Sequence, residues 1–329
     1  MTGRNGTDLV GRLGPNFAVF ASLIALALTL TLFSPPAHAQ IEMAITIDDL
    51  PVGGGETASI NRMDVAKKLI KSLKDHGVKN VYGFVNGVNV KPRDQRIQSL
   101  QILSLWKNAG YDLGNHTFSH LSLSKVFAED YIENIERNES VLVDSVSSIE
   151  ELKVFRFPYL EEGNSKEKRQ RVRSYLTERN YKIAQVTVDF NDWAWDPAYL
   201  RCLNKADKQN LAELRKTYLE NAKAHLDNTV KLGKKLYGEK QKIRHVLLLH
   251  ITASTVEFMD DLLDLFLKAN VKFISLQEAL KDHIYKEDPG YIGAGGQTFL
   301  NQLKETKGFN WPDLVEVKPP EHWLEKLCR

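Results

Sequence analysis

Cysteine is scarce in these 329 residues. Cys202 and Cys328 are the only two, far too few for a disulfide-built scaffold, so a hydrophobic core has to hold the chain. A dominant charge is missing as well. Lys and Arg number 44 against 42 Asp and Glu, a formal +2, which argues against broad electrostatic capture of nucleic acid. Glycine (20) and proline (11) are too few for a collagen-like or low-complexity chain. With 43% hydrophobic and 26% charged residues, the composition left is ordinary globular, neither disordered nor coiled-coil.

One long apolar run is present, at the start. Arg4 and Arg12 precede an uncharged stretch at 17–33, followed by Pro35, Pro36 and the small-x-small end Ala37-His38-Ala39. That order is expected of a cleaved secretory signal over 1–39. An uncleaved membrane anchor is the rival reading, but the run is short of the roughly 20 residues that span a bilayer. No cysteine stands at the cleavage site, so neither a lipid anchor nor another stable membrane anchor is expected. The chain is read as exported, to periplasm or medium. Export would permit Cys202 and Cys328 to pair; two buried free thiols are the alternative.

Beyond residue 40, short β-branched runs alternate with helical patterns. Strands are expected at 43–47, 81–85, 111–114, 154–157, 182–189, 244–250 and 272–274. Helices are expected at 60–76, 94–109, 128–152, 166–180, 256–269 and 276–283. Repeated β-then-α units predict parallel strands with helices outside, an α/β barrel in one domain over 40–329. Two segments break the rhythm. At about 198–240 a long charged helical stretch carries one apolar stripe, Leu211, Leu214, Tyr218, Ala222, Leu226 and Val230. It reads as a helical hairpin on the outside of the barrel, with a groove wall or dimer surface as the alternative. A C-terminal extension at about 286–329, with Trp311 and Trp323, reads as a strap across the barrel, with an exposed sugar-stacking use of the two tryptophans as the alternative.

Carboxylates and histidines recur at the carboxyl ends of these strands: Asp48 and Asp49, His116 and His120, Arg156, Asp189 and Asp192, and His250. In a parallel barrel those ends converge on the catalytic face. The four-residue spacing of His116 and His120 suits a helical turn after the strand, with both imidazoles on one side. Two His and one carboxylate make a common catalytic zinc set. Adjacent aspartates alternate in a strand, but at its end they can splay to one centre, one binding metal and the other working on water. His76, His225, His245, His283 and His322 have no motif partner and read as structural or solvated. Gly53–Gly55 lacks the lysine and spacing of a phosphate loop.

Taken together, the set resembles the polysaccharide deacetylases of the NodB-homology type, carbohydrate esterase family 4. Thr46-Ile47-Asp48-Asp49-Leu50 is similar to that family's Thr-Phe-Asp-Asp-Gly, and His116-Thr117-Phe118-Ser119-His120 to its His-(Ser/Thr)-x-x-His. Arg156-Phe157-Pro158-Tyr159 matches Arg-x-Pro-(Tyr/Phe), Asp189 to Trp193 matches Asp-x-x-Asp-Trp, and Leu248-Leu249-His250 matches Leu-x-His. The resemblance implies a distorted (β/α)7-type barrel and a divalent metal, usually zinc, on Asp49, His116 and His120. It also implies Asp48 as general base and His250 as general acid. Arg156 and Asp192 would tune these two, and the Tyr159 backbone N–H would meet the oxyanion. Pro158, Trp193 and Leu248 would line the acetyl pocket. Leu50 departs from the usual glycine, and a bulky side chain there is expected to alter the turn and the groove floor.

The function so implied is removal of N-acetyl groups from amino sugars, with an N-acetylated carbohydrate as partner and no nucleic acid. O-acetyl esters, or another amide on the same scaffold, are the nearest alternatives. A catalytically dead carbohydrate binder is a third, and it would need neither Asp48 nor His250. The sequence carries no sign of an oligomeric state.

Overall fold

The computed structural model describes residues 40–56, 60–90, 95–314 and 317–329, and the export signal read at 1–39 lies outside the described residues. Among these residues seven strands form one sheet: β1 (Ile41–Leu50), β2 (Tyr82–Val85), β3 (Asp112–Asn115), β4 (Val154–Phe155), β5 (Lys182–Ile183), β6 (Arg244–His250) and β7 (Val271–Ile274). Every pairing is parallel, in the order β5-β4-β3-β2-β1-β6, with β7 also on β1. β1 is the hub. It runs beside β6 over 42–48, and its other edge is shared between β7 along 41–44 and β2 from Thr46 onward. The expected α/β barrel is the observed class.

The strand expected at 182–189 is split. Only Lys182 and Ile183 pair with β4. The chain then crosses to β6, where Val188 bridges Leu247 and closes the curled sheet on itself. Among the described residues, ten helices join and cover the strands: α1 (Arg62–Asp75), α2 (Arg96–Asn108), α3 (Ala128–Leu142), α4 (Lys166–Glu178), α5 (Asp196–Asn204), α6 (Lys208–Tyr237), α7 (Ala253–Lys268), α8 (Leu276–Ala279), α9 (Phe299–Thr306) and α10 (Glu321–Lys326). Several start on a side-chain cap that accepts a backbone N–H, as Asn61, Ser165, Asp207 and Thr252 do. α3 ends ten residues before the expected 152. The run Val143-Asp144-Ser145-Val146-Ser147-Ser148 pairs β-branched residues with serines, which favour turns over helix, and short 3-10 turns take over.

The main core lies between the sheet and α1, α2, α6 and α7, with Leu69, Ile102, Trp106, Leu214, Tyr218, Met259 and Phe266 all fully buried. The stripe foreseen on 198–240 is therefore a core face, although the segment is a short α5 and one 30-residue α6 rather than a hairpin of equals. Cys202 of α5 and Cys328 are joined in a disulfide. Leu50 corrects an expectation. It is wholly buried and points into the core rather than to a groove floor. Space for it exists because residue 83 is glycine: a Cβ there would lie 2.0 Å from Leu50 Cδ1 and 3.0 Å from the Trp106 ring. Gly83→Ala should therefore destabilise the protein by about 1–3 kcal/mol, with Leu50→Ala in the same chain recovering part of the loss. Equal melting temperatures for Gly83→Ala and the parent would refute this packing.

Candidate active site

Alternation along a strand would send Asp48 and Asp49 to opposite faces. The register with β2 slips between Ile47 and Leu50, and Asp49 adopts φ 66 in the left-handed region, so the end of β1 bulges. Both carboxylates consequently approach one imidazole. His116 Nε2 lies 3.6 Å from Asp48 Oδ2 and 3.7 Å from Asp49 Oδ1, while His120 Nε2 lies 3.6 Å from the same Asp49 oxygen. Ligand atoms of Asp49, His116 and His120 all fall within 4.8 Å of one another.

The two histidines do not share a helix. Residues 117–120 are a loop turned by left-handed Thr117 (φ 63) and His120 (φ 53), which brings the rings edge to face at 4.9 Å. Four asparagines hold this loop, Asn134 Oδ1 accepting from the Ser119 N–H at 2.8 Å. Asn115 Oδ1 accepts from the Thr117 N–H and from Asn138 Nδ2, and Asn86 Nδ2 donates to the His116 carbonyl at 2.6 Å. Sequence reasoning passed over Asn86 and Asn138. The signal was there: Asn138 is a polar residue on the apolar face of α3, between Ile135 and Leu142, and a buried amide needs partners.

Arg156 ties two parts of the site together. Its carbonyl oxygen accepts from His116 Nδ1 at 2.8 Å, which leaves the Nε2 lone pair free for a ligand. Its guanidinium, 1% exposed, donates to Asp48 at 3.2 Å, to Thr46 Oγ1 at 3.0 Å and to the Ala184 carbonyl at 2.7 Å. Burial raises the Asp48 pKa, and the Arg156 charge opposes that rise. His116 goes the other way: burial, helped by His120, lowers it to about 3. It is thus neutral, and its contacts with the aspartates are not ion pairs. A neutral imidazole with its second nitrogen anchored, a partner imidazole and an anionic carboxylate are donors that fit a divalent ion.

Opposite them, His250 sits at the end of β6, with its Nδ1 2.7 Å from Asp192 Oδ1. Asp192 is fully buried and also accepts from the His250 N–H at 2.8 Å and Thr255 Oγ1 at 2.6 Å. Desolvation disfavours the imidazolium, but Asp192, with Asp49 and Asp48 behind it, outweighs this and pushes His250 up to about 10. Nearby Asp189 is raised to about 6 by burial.

An open groove of about 1100 Å³ exposes this set. Asp48, Asp49, His116, His120, Tyr159, Trp193, Leu248 and His250 line it, together with Asp189. Arg156 and Asp192 are buried behind the groove-lining residues. Pro158 is buried too and does not reach the groove, which Phe157 and Leu160 line in its place. Tyr159 reaches it on a left-handed turn (φ 56), with its ring against His120 at 4.4 Å. His225, read from sequence as structural or solvated, is a groove residue as well, carried there by α6. Residues 228, 229 and 232 of the same helix follow it, so α6 serves both as core packing and as groove wall.

The chain is similar to known proteins. The polysaccharide deacetylase family matches residues 37–184. A peptidoglycan-N-acetylglucosamine deacetylase of Bacillus cereus is 30% identical over 161 residues, 49% of each protein, so the chain spans about half the length of the curated relative it matches. Among solved structures, a mutant of a carbohydrate esterase family 4 pseudoenzyme with restored enzymatic activity overlays 74% of this chain and 68% of its own, at 17% identity and a TM-score of 0.50. A peptidoglycan N-acetylglucosamine deacetylase bound to a substituted benzamide overlays 73% of this chain and 88% of its own, at 22% identity and a TM-score of 0.49. Likeness at such identities concerns the fold.

Proposed function

We propose hydrolysis of N-acetyl groups on amino sugars of an extracytoplasmic polysaccharide, peptidoglycan being the first candidate, for a chain that the polysaccharide deacetylase family matches over residues 37–184. The observation that carries this reading is the meeting of three units on one groove: the Asp49, His116, His120 triad, the Asp48–Arg156 pair and the His250–Asp192 pair. A binding protein has no use for all three.

When bound to the triad, a divalent ion, zinc by its donor set, would polarise the acetyl carbonyl and lower the pKa of a water beside it. Asp48, held by Arg156, takes the proton that the water sheds as its oxygen attacks the acetyl carbon. Charge developing on the carbonyl oxygen meets the Tyr159 backbone N–H. The carbon–nitrogen bond then breaks. His250, fixed through Nδ1 by Asp192, donates from Nε2 to the departing nitrogen, and the products are a free amine and acetate. Trp193 and Leu248 flank the acetyl group.

Chelation followed by dialysis should reduce acetate release by about 10³-fold or more, the scale of several kcal/mol of lost electrostatic stabilisation, and zinc should restore it. The assay runs parallel panels of N-acetyl and O-acetyl saccharides. Release from the O-acetyl panel alone would make the protein an esterase. Undiminished release after verified metal removal would sink the metal-dependent reading.

A further inference from the structure

Four aromatic side chains stand exposed among the described residues, Phe127, Tyr159, Trp193 and Phe309, and the last three line the same groove. Tyr159 and Trp193 belong to the motifs beside the catalytic groups. Phe309 does not. It lies in the C-terminal extension, beyond residues 37–184 where the family matches.

Its setting is built rather than loose. One face of the Phe309 ring stacks on Trp311, with centroids 4.7 Å apart and planes within 18°, and Lys235 Nζ lies 5.5 Å from the Trp311 centroid. Asp313, just beyond, is paired with Lys231 at 2.9 Å and with Lys235 at 3.0 Å, so α6 fastens this turn. α9, which leads into it, buries Leu300 and Leu303 against Leu232 and Ile243 while presenting Asn301 and Lys304, three residues apart, to the groove. Phe309 nevertheless keeps 43% of its surface in solvent. An apolar ring held open beside amide and ammonium groups is how a protein receives a pyranose, whose carbon-bound hydrogens lie on one face and whose hydroxyls point outward. The groove, at about 1100 Å³, also exceeds the roughly 300–1,000 Å³ that encloses a drug-sized ligand, so it has room for more than one sugar ring.

We infer that Phe309, with Asn301 and Lys304, forms a distal saccharide subsite contributed by the C-terminal extension, which makes the protein select oligosaccharides of several rings over single sugars. This rests on the saccharide reading of the groove but not on its catalytic chemistry.

The test uses the whole protein with Phe309→Ala and the aromatic control Phe309→Trp. Linear oligomers of N-acetylglucosamine, from one to six rings, are titrated calorimetrically, and acetate release from the same oligomers is followed in parallel. The parent should bind and turn over long oligomers better than short ones. Phe309→Ala should weaken binding and raise KM about tenfold for the longest oligomer, the scale of one aromatic stacking contact, with kcat and the shortest oligomers changed least. Phe309→Trp should recover the long-chain preference. Equal effects at every length, or none at any, would overturn the subsite. Length-dependent binding that needs an aromatic at 309, in a protein that releases no acetate, would keep the subsite and reject the deacetylase.

Discussion

Asp48→Asn is expected to lower acetate release by about 10²- to 10⁴-fold, the range a positioned general base supplies. The substitution keeps shape and an acceptor for Arg156 but removes the group that takes the proton. Asp48 is 2% exposed and anchored by a buried guanidinium, so the variant also leaves a buried cation without its anion. A stability loss of up to about 3–5 kcal/mol is therefore expected alongside. Thermal melting and metal content, measured on the same preparation, separate the two effects: a folded, metal-loaded and inactive Asp48→Asn variant is the expected outcome. Since burial raises the Asp48 pKa, the acid-side rise in the parent's rate should lie above the ordinary carboxylate range. A folded variant that retains a tenth or more of the parental rate would remove Asp48 from the mechanism.

Asp192→Asn should act on the other proton. His250 can donate only while protonated, so activity is present below its pKa and lost as pH rises through it. With Asp192 in place that pKa is pushed up to about 10. Without that neighbouring charge, desolvation is opposed only by the more distant Asp49 and Asp48, and the pKa falls toward the ordinary imidazole range. The alkaline decline of kcat should then move by more than one unit toward lower pH. At pH 8 an imidazole at its ordinary 6.5 would be charged in about 3% of molecules, so a loss of up to about 30-fold is expected there, shrinking as the pH is lowered. A profile that keeps its shape and merely drops in height would mean that Asp192 is structural and that His250 does not supply the proton.

How much of this was legible beforehand depends on the range of each cause. Alternating β and α patterns are local, and they led to a parallel barrel with carboxylates and histidines at its carboxyl ends, to which the family resemblance attached ligand, base and acid roles. What escaped was set by distant partners. The left-handed turn at Asp49, which lets two adjacent carboxylates face one imidazole, follows from a register slip against β2 rather than from Asp48-Asp49 itself. Leu50 looked like a groove residue because Gly83, which receives it, lies 33 positions away. The single bridge from Val188 to Leu247 is too small to leave any period in the sequence. His225 had no motif neighbour because its neighbours in the groove come from other elements, brought near by the packing of α6.

The disulfide divides the chemistry along the chain. Cys202 and Cys328 lie 126 residues apart, and the loop they close contains His250, α6 and the C-terminal extension up to Cys328, whereas Asp48, Asp49, His116, His120, Arg156 and Asp192 all precede it. Closing a loop of that length removes denatured-state freedom worth about 5 kcal/mol in the chain-entropy view. Arg201 adds to the fastening, donating from α5 to the carbonyls of Leu324 and Leu327. Scission of the backbone anywhere inside the loop would therefore leave two polypeptides that still travel as one molecule, the proton donor covalently tethered to the half that holds the base. Only a thiol reductant would release them, so in an oxidising medium a nick inside the loop would not separate His250 from the triad.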